Sequence, residues 1–212
     1  MTDTPEIPFE KYELGGAYHW KWYMVDFEGY RGFVDSLVKL FPLPGRILDV
    51  GCGDGLISYM LFRRGFEVVG IDTSEFGLRL ASDTCQRAVL GAFDDALAID
   101  HAGPHLMQRF KDGELEFRRQ SIKDFNETET FDYVLCSEVI EHVPAPERLV
   151  ANVQRAMRDF AVITTPDGRL DGPGPSDYQV WTPDEFQTFL TGYRIEPFAI
   201  REGTISVRLF KT

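Results

Sequence analysis

Three glycines and two carboxylates lie together in the segment 47–55, which reads ILDVGCGDG. Glycine permits positive φ angles and lets a ligand approach the backbone closely. Asp49 precedes the first glycine and Asp54 follows the second, and carboxylates at these places would repel a pyrophosphate. The G-x-G-x-G spacing also differs from the G-x-G-x-x-G of dinucleotide sites. The segment therefore favours a nucleoside that carries a cationic amino group and no phosphate.

A further acidic residue, Asp72, ends the next apolar run, 17 residues after Gly55. A carboxylate at the end of the second strand of a nucleotide-binding sheet can bind two ribose hydroxyls. In the structural alternative, Asp72 caps the helix that follows, for which Thr73 and Ser74 are also candidate caps. Together with the glycine segment, Asp72 predicts a nucleoside site.

Titratable side chains also cluster in the segment 136–144, which reads CSEVIEHVP. His142 could act as a general base toward an attacking hydroxyl, because the histidine pKa suits that task near neutrality. In a second interpretation, Glu138, Glu141 and His142 bind a divalent metal that polarises a substrate diol. In a third, Glu141 and His142 are structural and cap the following helix. All three stay open, and we assign no metal ligand.

Residues 18–23, which read YHWKWY, place four aromatic rings and a histidine shortly before the glycine segment. The rings could cover the ligand or pack against a planar or sugar acceptor. Alternatively, Trp20 and Trp22 pack a helix onto the sheet. His19 is a second candidate base.

These residues depend on the elements that carry them. Short apolar runs alternate with helical patterns, which is typical of a parallel sheet with helices on both faces. Ligands of such sheets bind at the carboxyl ends of the strands, so the functional residues are expected in the loops after each strand. The predicted fold is a Rossmann-like, doubly wound, seven-stranded sheet that is mostly parallel, with one antiparallel strand near the C-terminus.

The element boundaries follow from the apolar periodicity and from the turn residues. The strands are predicted at 46–50, 67–71, 115–119, 131–136 and 160–164, with a closing hairpin of 193–200 and 204–209. The helices are predicted at 24–41, 56–64, 74–92 and 146–158, and one more begins at Thr182 and Pro183.

The elements predict an N-terminal helical, aromatic cap over residues 1–44 and a ligand-binding domain over residues 45–212. From Asp72 to Leu115 the chain runs 43 residues, whereas one helix with short loops needs about 25. Residues 93–112 are therefore predicted to be an insertion, either a lid or a surface decoration, in which Gly103 and Pro104 interrupt the helical spacing.

The composition limits the partners. The 212 residues include 22 basic and 34 acidic residues, which gives a net charge of −12, whereas proteins that bind nucleic acid usually carry a basic surface. The three cysteines form no C-x-x-C pair, so neither a disulfide framework nor a zinc ribbon is indicated. No signal sequence and no membrane-spanning run is predicted, so we expect a cytoplasmic protein with a small-molecule partner.

The segments 47–55, 68–74 and 131–143 together resemble the class I S-adenosylmethionine-dependent methyltransferases, and the resemblance extends from about residue 45 to about residue 166. Within this superfamily, the segment 136–144 is similar to the small-molecule O-methyltransferases of ubiquinone biosynthesis. Its E-x-x-E-H string is also similar to the small-RNA 3′-terminal 2′-O-methyltransferases, which supply a later histidine that this chain lacks.

The resemblance implies that S-adenosylmethionine is the cofactor and methyl donor. Asp72 would bind its ribose, and Ser137 and Glu138 would face its methionine part and the substrate. The residues implied to hold the methionine moiety are Asp49, Gly51, Cys52 and Gly53. The residues implied to lie beside the adenine are Thr73, Ser74, Gln120, Ser121 and Ile122.

The predicted function is transfer of the donor's methyl group to a hydroxyl, or an amine, of a small metabolite such as a sugar, phenol or polyketide. One alternative is methylation of the 3′-terminal ribose of RNA, which the net charge and the lack of a basic cluster disfavour. Another is a non-catalytic nucleotide-binding relative that has kept the fold.

Overall fold

The structure is a computed structural model in which residues 11–93, 103–125, 129–170 and 172–212 are described. The chain divides into two compact units, Glu10–Ser121 and Ile122–Thr212, which we call the first and the second unit. The predicted boundary between residues 44 and 45 stays a prediction. None of the helices among the described residues is long and apolar enough to cross a bilayer.

The strands form one seven-stranded sheet. They are β1 (Arg46–Val50), β2 (Glu67–Asp72), β3 (Leu115–Arg119), β4 (Phe131–Ser137), β5 (Met157–Pro166), β6 (Ile195–Pro197) and β7 (Thr204–Phe210). Their order is β3-β2-β1-β4-β5-β7-β6. The pairs β1–β2, β2–β3 and β4–β5 are parallel, and β7 runs antiparallel to β5 and β6. This confirms the predicted fold class, including its single antiparallel strand.

The helices follow the strands in the alternation that the sequence predicted. They are α1 (Lys11–Gly15), α2 (Tyr18–Val25), α3 (Tyr30–Lys39), α4 (Leu56–Arg64), α5 (Glu75–Val89), α6 (Gly103–Lys111), α7 (Pro146–Ala156) and α8 (Pro183–Phe189). Gly55 and Gly65, both at positive φ, bound α4, and Ser74 caps α5 by accepting from the Gly77 N–H at 3.0 Å. Thr182 and Glu185 form a capping box at the start of α8, which confirms the predicted helix start at Thr182.

The single helix predicted over residues 24–41 was wrong. Asp26 and Glu28 adopt left-handed φ angles of 52° and 49°, so the chain turns between α2 and α3. The Arg31 side chain donates to the Tyr23 and Met24 carbonyls at 3.1 and 2.7 Å, which satisfies acceptors at the end of α2. Since the apolar residues have helical spacing on both sides of the break, periodicity alone cannot show it.

Further element boundaries differ from the prediction: the helix of 74–92 is Glu75–Val89, and the strands of 160–164 and 193–200 are Met157–Pro166 and Ile195–Pro197. The helix predicted to end at 158 ends at Ala156, because Met157 is already extended and begins β5. Gly103 and Pro104 do not interrupt a helix but begin α6, where proline needs no N–H partner. The Arg109 guanidinium donates to the Phe62 and Phe66 carbonyls at 2.8 Å each, so α6 is tied to the end of α4. Residues 94–102 of the predicted insertion lie outside the described residues.

Candidate active site

The glycine segment forms a tight turn between β1 and α4 in the first unit. Gly51, Gly53 and Gly55 all have positive φ, at 70°, 54° and 78°, a conformation that other residues rarely adopt. The N–H groups of Gly51 and Cys52 both donate to the Ile71 carbonyl of β2, at 2.8 and 3.1 Å. The turn is therefore anchored to the neighbouring strand, and its conformation explains why glycine occupies all three places.

Asp49, the next-to-last residue of β1, is a buried carboxyl group. It accepts a hydrogen bond of 2.5 Å from the Ser58 hydroxyl of α4. Burial raises the pKa of Asp49 to about 7, with the Asp72 charge also raising it, while the Ser58 hydrogen bond and His19 lower it. A cationic ligand beside this carboxyl would favour its charged form.

Asp72 ends β2 and holds the turn and the next helix together. Its two oxygens accept from the N–H groups of Gly53 at 2.9 Å and Ser74 at 2.7 Å. Burial raises the pKa of Asp72, and these backbone hydrogen bonds oppose the shift. Ser74, not Asp72, is the N-cap of α5, so the structural alternative holds only in part. The predicted ribose contact stays a prediction.

The segment predicted to lie beside the adenine is divided between the two units. The Gln120 N–H donates to the Asp72 carbonyl at 3.0 Å, which places Gln120 and Ser121 after β3 and next to Asp72 in the first unit. Ile122 belongs to the second unit, where it begins a short 3₁₀ turn and is buried. The adenine assignment stays a prediction.

Asp54 anchors helix α2 to the glycine turn. It is 0% exposed, and its Oδ2 accepts from the His19 N–H at 2.9 Å. The Trp20 indole donates to the Asp54 carbonyl at 2.9 Å, and the His19 Nδ1 lies 3.2 Å from the Asp54 Oδ1. The His19 Nδ1 and the Asp54 Oδ1 are close enough for an ion pair, but their geometry is not that of a hydrogen bond. Among the described residues, no donor hydrogen-bonds to the Asp54 Oδ1. The sequence placed Asp54 in the turn but did not reveal its partners.

Tyr12 of α1 is a site residue that sequence reasoning missed. Its ring packs against the glycine turn, where a Cβ at Gly53 would collide with the Tyr12 hydroxyl. Burial is the main cause that raises the pKa of Tyr12 well above its usual value, followed by Tyr18, whose ring stacks on Tyr12 at 5.5 Å. The density of aromatics before residue 44 was the available signal, but it did not single out Tyr12.

Five aromatic side chains from α2, the turn after it and the start of α3, which we call the aromatic wall, contact one another. The Tyr18 ring lies 4.0 Å from the His19 ring, and the Tyr30 ring stacks on His19 at 5.8 Å. Trp22 contacts both Tyr18 and Tyr30. Trp22 and Phe27 remain 37% and 46% exposed. The members of the wall are Tyr18, His19, Trp22, Phe27 and Tyr30.

In the second unit, His142 also lies beside a carboxylate. Its Nδ1 is 3.0 Å from the Asp177 Oδ1 and 3.2 Å from the Ser176 carbonyl oxygen, and its Nε2 is 3.9 Å from the Glu141 Oε1. The helix after this segment is capped at Ala145 with no side-chain hydrogen bond. The interpretation that Glu141 and His142 cap this helix is therefore wrong.

The glutamates of this segment are held by threonines of β5. Thr164 donates to the Glu138 Oε1 at 2.9 Å and Thr165 to the Glu141 Oε2 at 3.1 Å. The Ser137 hydroxyl lies 2.9 Å from that of Thr164. Burial is the main cause that raises the pKa of Glu141 well above its usual value, and the Glu138 charge adds to it.

Glu138 adopts a left-handed φ of 56°, which is strained for a side chain of this size. Such strain often occurs at functional sites, so the conformation agrees with a role in the reaction. Among the described residues, no group of three or more His, Cys, Asp or Glu side chains could hold a metal ion. We therefore derive no step through a metal.

The positive-φ glycine turn after β1 and the acidic end of β2 are the features from which the sequence predicted a nucleoside site, in a Rossmann-like fold. Residues 25–192 match the family described as "Methyltransferase domain", and the chain belongs to this family. This confirms the predicted class of S-adenosylmethionine-dependent methyltransferases. Ubiquinone biosynthesis O-methyltransferase of Hahella chejuensis is 35% identical over 131 residues, which cover 60% of this chain and 45% of that protein. The chain thus spans about half the length of the curated relatives that it matches.

Solved structures share the fold. Magnesium protoporphyrin IX methyltransferase from Synechocystis PCC 6803, crystallised with bound S-adenosylmethionine, has a TM-score of 0.64 and 18% identity over 96% of this chain and 94% of that chain. The methyltransferase domain of bacterial CtHen1-CN has a TM-score of 0.62 and 18% identity over 85% of this chain and 98% of that chain. At this identity the likeness shows the fold alone.

Proposed function

We propose that this protein transfers the methyl group of S-adenosylmethionine to a hydroxyl, or an amine, of a small metabolite. The observation that carries the proposal is the buried carboxyl of Asp49 beside a turn of positive-φ glycines, in a chain of the methyltransferase-domain family. The curated relatives are named as O-methyltransferases of ubiquinone biosynthesis, which favours oxygen as the acceptor atom.

The residues of the first unit suit this donor. A cationic amino group requires an anionic partner, and Asp49 is a buried carboxyl whose pKa such a group would lower. The Asp54 Oδ1 is a buried oxygen without a hydrogen-bond donor among the described residues, which a bound ligand can supply. Asp72 would hold the ribose hydroxyls, in exchange for or in addition to its backbone partners. When bound, the donor supplies a methyl group on a positively charged sulfur.

The protein's contribution is mainly alignment. Since the methyl carbon is already electrophilic, holding the nucleophile in line with the carbon–sulfur bond supplies much of the rate. His142, with Glu138 and Glu141, is one candidate set of groups toward the acceptor in the second unit. His19 of the first unit is another. The net charge of −12 supports a small acceptor over RNA.

The donor site is tested by calorimetric titration with S-adenosylmethionine and with S-adenosylhomocysteine. We expect both to bind the wild type, and Asp72→Asn to weaken binding by about tenfold or more, because an amide cannot accept at both positions. The exposed Asp83 of α5 gives a matched control, Asp83→Asn, which should bind as the wild type does. A wild-type protein that binds neither ligand would refute the proposed function.

A second arm tests the acceptor. A pool of small metabolites and a pool of short RNAs are each incubated with the protein and methyl-labelled donor. We expect the label in small molecules only. Label in RNA at physiological salt would overturn the small-metabolite assignment while leaving donor binding intact.

A further inference from the structure

We propose that Ser58 of α4 is a positioning residue for the donor: it keeps the Asp49 carboxylate charged and oriented toward the donor's cationic amino group. This inference rests on the proposed function, in which Asp49 is the partner of that amino group. In this role Ser58 acts only through Asp49. The two residues lie nine positions apart in the sequence, on a strand and on the helix that follows it.

Ser58 and Asp49 form a short hydrogen bond inside the first unit. The Ser58 hydroxyl donates to the Asp49 Oδ2 at 2.5 Å, and the two residues are 0% and 3% exposed. This distance is within the range of about 2.5–2.7 Å that is typical of a hydroxyl bonded to a charged carboxylate. Because water does not compete for a buried pair, the bond is strong and fixes the orientation of the carboxyl group.

The local structure explains why the Ser58 hydroxyl points to β1. A serine inside a helix often bonds to the carbonyl four residues before it, which for Ser58 is that of Asp54. The Asp54 carbonyl instead accepts from the Trp20 indole at 2.9 Å, and the Ser58 hydroxyl donates to Asp49. Ser58 is the third residue of α4, so Asp49 lies near a helix N-terminus, whose partial positive charge favours a carboxylate.

A purely structural role accounts poorly for this pair. Burying a carboxyl group costs free energy even when a hydroxyl bonds to it, and two apolar side chains of similar shape would avoid that cost. The residues beside the pair are of that kind, since Leu48, Val50 and Leu56 are apolar and at most 3% exposed. A polar pair among them, next to the glycine turn, therefore favours a role in binding a charged ligand.

The groups around Asp49 determine how much its charge depends on Ser58. Burial is the main cause that raises the pKa of Asp49 to about 7, and the Asp72 carboxyl of β2 adds to the rise. The Ser58 hydrogen bond is the largest cause that lowers this pKa, followed by His19 of α2. The Cys52 thiol of the glycine turn also interacts with Asp49, and burial raises the pKa of that thiol well above its usual value. Near neutral pH, loss of the Ser58 bond would leave most of Asp49 protonated and unable to pair with a cation.

The main test compares Ser58→Ala with the wild type by calorimetric titration with S-adenosylhomocysteine from pH 6 to pH 9. Because the lost hydrogen bond is to a charged group, the pKa of Asp49 should rise in the variant. We expect the affinity to fall about tenfold or more at pH 6, and about threefold or less at pH 9, where Asp49 ionises in both proteins. The ratio of the two affinities at each pH cancels the ionisation of the ligand's own amino group.

The exposed Ser82 of α5 gives the matched control Ser82→Ala, which should bind as the wild type does at every pH. If Ser58→Ala does not fold, Ser58→Cys fills nearly the same space with a weak donor and should show the same pH-dependent loss. A loss of equal size at pH 6 and pH 9 would show that Ser58 only supports the fold, which overturns this inference and leaves the proposed function standing. Failure of the wild type to bind the ligand would instead refute the proposed function.

A double-mutant cycle shows whether Ser58 acts through Asp49. The side chain in Asp49→Asn cannot ionise, so adding Ser58→Ala to this variant should change the affinity by less than about threefold at any pH. A loss at pH 6 as large as that of Ser58→Ala alone would mean that Ser58 acts independently of Asp49. That result would overturn the inference.

A readout that needs no ligand follows the titration of Asp49 itself. In ¹³C spectra of protein with labelled aspartate carboxyl groups, the Asp49 signal is assigned by its absence from Asp49→Asn. We expect this signal to titrate at a higher pH in Ser58→Ala than in the wild type. Titration at the same pH in both proteins would overturn the inference, whether or not the donor binds.

Discussion

Each unit of the molecule contains a histidine whose Nδ1 lies close to an aspartate, at 3.2 Å in the first unit and 3.0 Å in the second. The two imidazoles are also similarly exposed, at 24% for His19 and 21% for His142. Distance and exposure therefore do not distinguish them. Their surroundings do, because aromatic rings enclose His19 whereas carboxyl and carbonyl groups enclose His142.

This difference indicates different chemistry. The rings of Tyr18, Trp22 and Tyr30 lie 4.0–5.8 Å from the His19 ring, and the Asp54 carboxyl beside it belongs to the glycine turn. His142 has Asp177 and the Ser176 carbonyl at Nδ1 and the Glu141 carboxyl 3.9 Å from Nε2. The ring is therefore held at Nδ1, and the Glu141 carboxyl lies near Nε2 beyond hydrogen-bond distance.

The largest expected contrast is in stability. Asp54→Ala should lower the free energy of unfolding by about 3 kcal/mol, because a fully buried acceptor is lost and the His19 N–H loses its partner. Asp177→Ala removes a partly exposed carboxylate that accepts from the Gly174 N–H at 2.6 Å, and it should cost about 1 kcal/mol. Urea unfolding of the two variants measures both values.

The conservative variant Asp54→Asn is the control for that comparison. It keeps an acceptor for the His19 N–H, so it should recover about half of the loss. Equal losses of unfolding free energy for Asp54→Ala and Asp177→Ala would mean that the two aspartates stabilise the protein equally. The two histidine–aspartate pairs would then differ only in the aromatic wall around His19.

The next contrast is in the pH dependence of donor binding. With a pKa of about 7, Asp49 is protonated in acid and must ionise to bind a cationic amino group. Donor affinity should therefore fall by about a hundredfold from pH 8 to pH 5, and binding near pH 6.5 should release a proton. Calorimetry with S-adenosylhomocysteine in buffers of different ionisation enthalpy measures both effects.

Asp49→Asn removes the titrating group and should give weaker binding that changes little over the same pH range. A wild-type affinity that is constant from pH 5 to pH 8 would contradict the role of Asp49. Since the groups of the second unit do not enter this prediction, the result bears on the first unit alone.

The sequence predicted the strand, turn and helix that carry Asp49, the three glycines and Asp72 better than it predicted the surroundings of either histidine. Asp49, the glycines and Asp72 follow one another locally, so strand, turn and helix patterns suffice to locate them. The partners of His19 and His142 come from residues 35 positions away in each case, Asp54 and Asp177. Local patterns carry no information on such pairings, and the sequence therefore left His142 as the first candidate base and His19 as the second without showing the aspartate beside either.

The fold shows the same limit. The parallel sheet follows from the alternation of elements and its single antiparallel strand from the predicted closing hairpin, whereas the break between α2 and α3 contains the left-handed residues Asp26 and Glu28. Gly29 follows them at a φ of 75° as the N-cap of α3, but a single glycine inside a helical pattern is a weak sign of a break. That break separates Tyr18 and Trp22 from Tyr30 along the chain, and it allows them to meet in the aromatic wall.

The smallest expected effect concerns the charge beside His142. Burial raises the pKa of Glu141, so the folded protein keeps a proton that the unfolded chain loses above its ordinary value of 4.5. The folded state then binds more protons, and its stability falls as the pH rises above 4.5 toward the folded-state pKa. Glu141→Gln lacks this loss, so its stability relative to the wild type should rise by about 1 kcal/mol between pH 5 and pH 8.

Thermal and urea unfolding at the two pH values check this, with the exposed Glu147→Gln of α7 as the matched control that should show no such rise. A stability difference between Glu141→Gln and the wild type that does not change with pH would mean that Glu141 is ionised throughout, which contradicts its raised pKa. The His142 ring lies beside the carboxyl groups of Glu141 and Asp177, in contrast to the aromatic rings around His19.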